Sequence, residues 1–293
     1  MCLKPVLAAT ALGLVWFAQA SAAPAPAPVA TPMGTPASMA PAQGAAGPAP
    51  MQMVAGAQAP APTAPAMPTR EQRIEADRLD PLGRAAFWAH VVDLDSRDLE
   101  AGVKLAKALR ELNRLDEAVA ACERVLVIEP ANVEALLEEA RARIAQNQGF
   151  FAIEPAERAA AAAPRDWRAP SLLAIALEQA QRDDEALAQH QKALALAPNN
   201  PAAISNLAMF YAVHGRSADA ETLLRRAAAM PTATAQIRQN LALILGLEGK
   251  VDEAEQLARR DLPPAEVANN VAYLKAASTP TTDHSWTALQ SAP

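Results

Sequence analysis

The side chains of this chain that could do chemistry are few and scattered. Its four histidines are His90, His190, His214 and His284. None pairs at i, i+4 with another histidine or sits in a Glu-containing zinc pattern. The two cysteines, Cys2 and Cys122, cannot make a disulfide framework. Cys122 reads as a small buried side chain rather than a nucleophile. Met33, Met39, Met51, Met53 and Met67 are irregularly spaced, with no histidine or cysteine among them, and form no metal set. Asp183-Asp184-Glu185 opens a helix, where carboxylates favour the positive dipole end. Glu138-Glu139 reads as a solvated helix face. No glycine-rich phosphate loop is present. The expectation is therefore no catalytic residue, no metal, no cofactor and no small-molecule substrate. The protein is expected not to be an enzyme, and any chemistry it does is recognition.

Charge narrows the partner. Residues 5–69 contain no Asp, Glu, Lys or Arg; from Arg70 onward stand 25 basic residues against 32 acidic ones, a balance of −7. Phosphate binding needs clustered Lys and Arg, so nucleic acid is not an expected partner. Residues 1–23 read as an export signal: Lys4, an apolar stretch from Val6 to Ala18, then Ala20-Ser21-Ala22 as an A-x-A site, with cleavage after Ala22 or Ala23. The alternative is an uncleaved anchor, which would be the one route to a membrane, although the run is shorter than the ~20 residues a spanning helix needs. No cysteine stands at the close of the apolar run to take a lipid, since Cys2 precedes it. Residues 24–69 hold 12 of the 25 prolines and no charge. Such a segment cannot bury enough apolar surface to offset its ordering entropy, and reads as a disordered Pro/Ala-rich linker. The expected place of work is the periplasm or cell envelope.

From Arg70 the pattern becomes helical with a period of 34. Ala106, Ala140, Ala174, Ala208 and Ala242 keep it without slip, as do Ala118, Ala152, Ala186, Ala220 and Ala254. Pro130, Pro164 and Pro198 share the spacing, with Pro231 one residue early. Small side chains let helix axes approach to ~8–10 Å. Proline cannot continue a helix, so each one closes a unit. Gly215 and Gly249 fit tight turns between helices. This pattern resembles the tetratricopeptide repeat, best in LAKALRELNRLDEAVAACERVLVIEP at 105–130. The expected fold is all-α: a superhelical solenoid of about five repeats over 99–262. N-terminal helices of a partial repeat occupy 70–98, a capping helix 263–277 and a disordered tail 278–293. Trp88 lies 34 residues before Cys122 and His190 lies 68 after it, all at one outer-helix packing position.

Binding in such arrays falls to the hollow face lined by inner helices. In the early repeats that face is charged, with Lys104, Lys107, Glu134, Glu138 and Arg141. In the later ones it is apolar or neutral, with Leu172, Ile175, Met209, Val213, Leu243, Leu247 and Tyr273. Asn206, Asn240 and Asn270 form a ladder beside the apolar set. Amide side chains can hold a ligand backbone by paired donor and acceptor contacts, or can bond only within the array. The candidate peptide groove is thus Asn206, Asn240, Asn270, Leu172, Ile175, Met209, Leu243 and Tyr273. The Lys–Asn pattern that grips a C-terminal carboxylate is not reproduced.

Two flanking segments carry a narrower resemblance. RLDPLGRAAFWAHVVDLDSRDLEAGVKLAKALRELNRLDEA at 78–118 resembles the opening of the TadD family, tetratricopeptide proteins of tight-adherence (Flp-type) pilus assembly. DLPPAEVANNVAYL at 261–274 resembles that family's closing segment. The resemblance implies a non-enzymatic envelope scaffold that helps assemble the pilus machinery, with the outer-membrane secretin as its protein partner. Members of the family are often lipoproteins, and this chain departs there. The alternative is a general periplasmic scaffold for other envelope or polysaccharide machinery.

Overall fold

The structure, a computed structural model, describes residues 66–278. The readings for the export signal, for the linker up to residue 65 and for the tail beyond 278 lie outside the described residues. The described part is built of helices, with no strand among them. Two helices precede the repeats: α1 (Arg70–Ala76) and α2 (Pro81–Leu94). Five pairs follow, each an inner helix and then an outer one: α3 (Leu99–Glu111) with α4 (Leu115–Ile128), α5 (Val133–Ala145) with α6 (Gly149–Ala162), α7 (Arg168–Gln179) with α8 (Asp183–Leu196), α9 (Pro201–Val213) with α10 (Ser217–Ala228), and α11 (Ala235–Leu247) with α12 (Val251–Ala258). A last helix, α13 (Pro264–Ser278), packs on α11 and α12.

Inner and outer helices start by different means. Side chains cap four of the five inner helices: the Asp98, Asn132, Asn200 and Thr234 oxygens accept from the Ala101, Ala135, Ala203 and Ile237 amides, each filling an orphan donor of the first turn. No outer helix has a side-chain cap. Four of the five carry first-turn carboxylates instead, Asp116 and Glu117 in α4 and Asp183 to Glu185 in α8 among them. The exception is α6, which presents Phe150 and Phe151 there, both exposed.

Every inner helix stops in the same way. The residue after its C-cap has positive φ: Asn113 at 59°, Asn147 at 59°, Gln181 at 60°, Gly215 at 77° and Gly249 at 82°. The amide of the next residue then reaches back five positions, as from Arg114 to the Leu109 carbonyl at 2.9 Å and from Lys250 to Leu245 at 2.8 Å. This is the Schellman closure, which satisfies the final carbonyls and turns the chain at once into the outer helix. Outer helices end at Ile128, Ala162 and Leu196, two residues ahead of Pro130, Pro164 and Pro198.

Both alanine series are buried in all five repeats, so each helix meets its neighbours through methyl groups. A third buried series runs through the outer helices: Trp88, Cys122, Ala156, His190, Leu224 and Ala258. Its larger members fill where alanine leaves room. Trp88 is fully buried and closes the first end, with the Lys104 ammonium 4.6 Å from its ring centroid. At the far end Leu274 of α13 lies against Gly246, where an added Cβ would stand 2.3 Å from the leucine Cδ1. The cap helix fits because α11 has no side chain at that point.

Candidate functional site

Two clefts open on the inner-helix side. The first lies between α3, α5 and α7, has a volume of about 360 Å³, and is lined by Lys104, Lys107, Arg110, Glu138, Arg141 and Arg168, with Val103 and Glu134. Here the structure corrects the reading of Glu138 and Glu139 as a solvated face. Both are buried. Glu138 accepts from Arg110 Nε at 2.9 Å and from Arg141 Nη1, and Glu139 accepts from Arg143 Nε at 2.8 Å. The guanidiniums compensate the burial of these carboxylates. Arg168 is bound on both sides, to Glu134 Oε1 and Asp166 Oδ2 at 2.6 Å each, which raises its pKa above the usual guanidinium range.

The second cleft is larger, about 710 Å³, and runs along the N-terminal ends of α7, α9 and α11. It is lined by Trp167, Asn199, Ser205, Asn206, Gln236 and Asn240 with shorter neighbours, and no Asp, Glu, Lys or Arg is among them. The two asparagines are tied into the array. Asn206 Nδ2 donates to Ser171 Oγ at 2.8 Å, and Asn240 Nδ2 to Ser205 Oγ at 3.3 Å. Gln236 Nε2 in turn donates to Asn240 Oδ1 at 3.0 Å. The serine that receives each bond belongs to the preceding inner helix, so the ladder locks one repeat to the next. It still leaves polar groups for a ligand. Asn199 is exposed, and neither its amide nor the Trp167 indole N–H has a partner among the described residues.

The predicted groove residues therefore separate. Asn206 and Asn240 come together in the second cleft. Met209 and Leu243 are buried in the core that joins α9 to α11, and Leu172 and Ile175 are half-buried against the core between α7 and α8. Asn270 is on α13 itself and is buried beside Leu274 of the same helix and Gln239 and Leu243 of α11, so the cap helix closes the place the ladder was expected to reach. Tyr273 is exposed on α13 and lines neither cleft. Sequence reasoning missed Trp167, Asn199 and Gln236. The first two stand in turns outside the helical period, and Gln236 lies one turn before Asn240, a spacing that could have flagged it.

Among the described residues, neither the free cysteine nor the buried histidine is set up as a reactive group. Burial, reinforced by the Glu138 and Glu139 carboxylates, pushes the Cys122 thiol far up, so it does not form a thiolate near neutrality. His190 is buried, with Nε2 2.6 Å from Glu178 Oε1 and Nδ1 unpartnered. Among the described residues no group of three or more His, Cys, Asp or Glu side chains is placed to hold a metal ion, and no helix is long and apolar enough to cross a membrane.

No family model and no curated protein matches this chain. Solved structures do. TTC0263, a thermophilic TPR protein of Thermus thermophilus, is 24% identical with a TM-score of 0.55, and the match covers 61% of this chain and 99% of that one. A tetratricopeptide repeat protein from Parabacteroides merdae is 14% identical with a TM-score of 0.59, covering 70% of this chain and 80% of that one. At these identities the likeness speaks for the fold, and with the helix pairs, the Schellman turns and the alanine seams it makes the described part of this chain an all-α tetratricopeptide solenoid.

Proposed function

We propose that this chain is a non-enzymatic adaptor of the bacterial envelope that holds an uncharged, extended segment of a partner protein in the cleft along α7, α9 and α11. The observation that carries this reading is the cleft itself. It is open, free of ionic side chains, and offers the Trp167 indole and the Asn199 amide beside a fixed ladder of Ser and Asn. An extended peptide presents unpaired N–H and C=O groups at regular intervals. Amide and hydroxyl side chains can satisfy those groups, while the indole covers an apolar side chain. A ladder already ordered by its own hydrogen bonds loses little entropy when a ligand arrives.

The finer reading is assembly of the tight-adherence pilus, with the secretin as client. Its support is the resemblance of 78–118 and 261–274 to the TadD family. In this chain those segments close the two ends of the array, through Trp88 in one and Leu274 in the other. Export by residues 1–23 belongs to the same proposal. The test is site-specific photo-crosslinking in cells from Asn199 and Gln236, both exposed, with Gln236→Lys as the disrupting variant. Crosslinks to a pilus component are expected from both positions, and those from Asn199 are lost in Gln236→Lys at unchanged protein level. Crosslinks confined to unrelated envelope machinery would remove the pilus assignment, and none from either position would remove the cleft.

A further inference from the structure

The first cleft carries positive charge that its own carboxylates do not neutralise. Two of its cations are spoken for. Lys104 Nζ lies 2.5 Å from Asp77 Oδ2 and 3.0 Å from Glu100 Oε1, and sits over the Trp88 ring. Arg168 is held between Glu134 and Asp166. Three remain. Arg110 and Arg141 share the single carboxylate of Glu138, and Lys107 makes no ion pair or hydrogen bond among the described residues. Lys107 lines the cleft with them, and Arg141 is also drawn to the Asp166 carboxylate at the rim.

The geometry favours a second anion. Lys107 and Arg110 stand three residues apart on α3 and share a face. Lys107 and Arg141 are 34 residues apart, hence at one position of successive repeats, and both line the cleft. Glu138 uses Nε of Arg110 and Nη1 of Arg141, which leaves N–H donors on both guanidiniums. It also holds both arginines in place, so little side-chain entropy remains to be lost when a ligand binds. The boundary of the cleft sets the size of the anion. Glu134 lies in its wall, Asp77, Glu100 and Asp166 engage its outer cations, and the chain is acidic overall. A long polyanion would be repelled beyond the cleft. A volume of about 360 Å³ admits one or two carboxylate side chains.

We propose that the cleft between α3, α5 and α7 is a docking site for an acidic segment of a partner protein, whose carboxylates lie between Lys107, Arg110 and Arg141. The proposal rests on the reading of the inner-helix side as a protein-holding surface, but none of these three residues lines the uncharged cleft, so the two sites fail separately.

The test is fluorescence anisotropy with the full chain and three probes: a short labelled peptide of alternating Glu and Ala, its Gln counterpart, and a single-stranded oligothymidylate. At about 50 mM salt the Glu peptide binds, the Gln peptide binds at least about tenfold more weakly, and added salt weakens the complex. Lys107→Glu and Arg141→Gln each weaken the Glu peptide by at least about tenfold, whereas Gln236→Lys does not. Lys107 is exposed and unpaired, so its substitution leaves the array folded, as circular dichroism would verify; Arg141→Gln leaves Glu138 covered by Arg110. The proposal is overturned if neither acidic nor neutral peptide binds, if both bind alike, if the folded Lys107→Glu variant binds as the parent does, or if the oligonucleotide outcompetes the peptide.

Discussion

At one position of the repeat, on successive inner helices, stand Lys104, Glu138, Leu172, Asn206 and Asn240, each 34 residues after the last. The first two are ionic and tie α1, α3 and α5 together: Lys104 binds Asp77, and Glu138 binds Arg110 of the preceding inner helix. Leu172 packs on the cores at either side. The last two bond to serines of the preceding inner helix, Ser171 and Ser205. The backbone job is the same each time, a link across the inner-helix side to the repeat before. The chemistry of the link changes from charge to hydrocarbon to amide along the array. This is why one face can offer a cationic cleft at one end and an uncharged cleft at the other without any change of fold.

Substitution at this single position should break the comparison most strongly where charge is buried. Glu138→Ala leaves the half-buried Arg110 and Arg141 facing each other without their counter-ion. A loss of about 3 kcal/mol is expected, the lower end of the cost of breaking a buried pair, since both arginines keep partial access to water. The loss should be local, because in a stacked array each repeat contacts only its neighbours. Hydrogen exchange is therefore the measurement, with protection falling in α3 to α6 and holding in α9 to α12. Uniform loss through all five repeats would mean that the array unfolds as one unit and that the two ends are not separable.

Asn206→Ala tests the same position at the other end, and a smaller effect is expected. It removes one neutral hydrogen bond to Ser171, worth about 1 kcal/mol, and leaves the serine oxygen, which accepted that bond, without this donor. Exchange protection should drop at α7 and α9 by less than Glu138→Ala lowers it at α3 and α5. If Asn206→Ala costs as much or more, the amide ladder is a main support of the later repeats, and the ranking of the two chemistries is reversed.

How much of this was legible in the sequence follows from the range of each interaction. The alanine seams were legible because only a small side chain fits a helix crossing, so composition and period coincide at Ala140 or Ala186. The Schellman turns were legible only in part. Gly215 and Gly249 announce a positive φ, but Asn113, Asn147 and Gln181 hold the same conformation in the same register without a glycine; asparagine tolerates it, and a glutamine there is set by the array. Glu138 was misread because half of its environment, Arg110, comes from another repeat, while its local neighbour Arg141 looks like an ordinary surface pair. Asn270 and Leu243 were misread for a similar reason. Leu243 lies on the inner side of its own helix, and α13 then covers it, docking Leu274 over Gly246 and burying its own Asn270 in the same seam. Local period predicts which side a residue takes, and only the neighbouring repeat or the cap decides whether that side stays open.

The smallest expected effect concerns a joint that neither cleft contains. His214 is the C-cap of α9, in register with Leu112, Gln146, Ala180 and Glu248, so it is the one imidazole at that position. Its Nε2 lies 3.0 Å from Asp183 Oδ2 at the start of α8, its Nδ1 lies 2.8 Å from the Phe210 carbonyl oxygen, and its ring stacks on Phe210 at 4.1 Å. Partial burial opposes charging, but the bonds to Asp183 and to the Phe210 carbonyl outweigh it, and the pKa is raised above the ordinary imidazole value. A raised folded-state pKa means that the charged form stabilises the fold. That contribution is complete below the unfolded value of about 6.5 and is lost as pH rises through the higher folded value. A cation at a helix C-terminus is worth about 0.3–1 kcal/mol, so the change is modest. It should appear as lower exchange protection at the α8–α9 joint on the alkaline side, with the α3–α5 joint unaffected, and it should vanish in His214→Gln. An NMR titration of the His214 ring decides the matter: a midpoint at the ordinary imidazole value would abolish the pH-dependent difference between the two ends of the array, and one below it would show that burial wins over Asp183 and would reverse the sign of that difference.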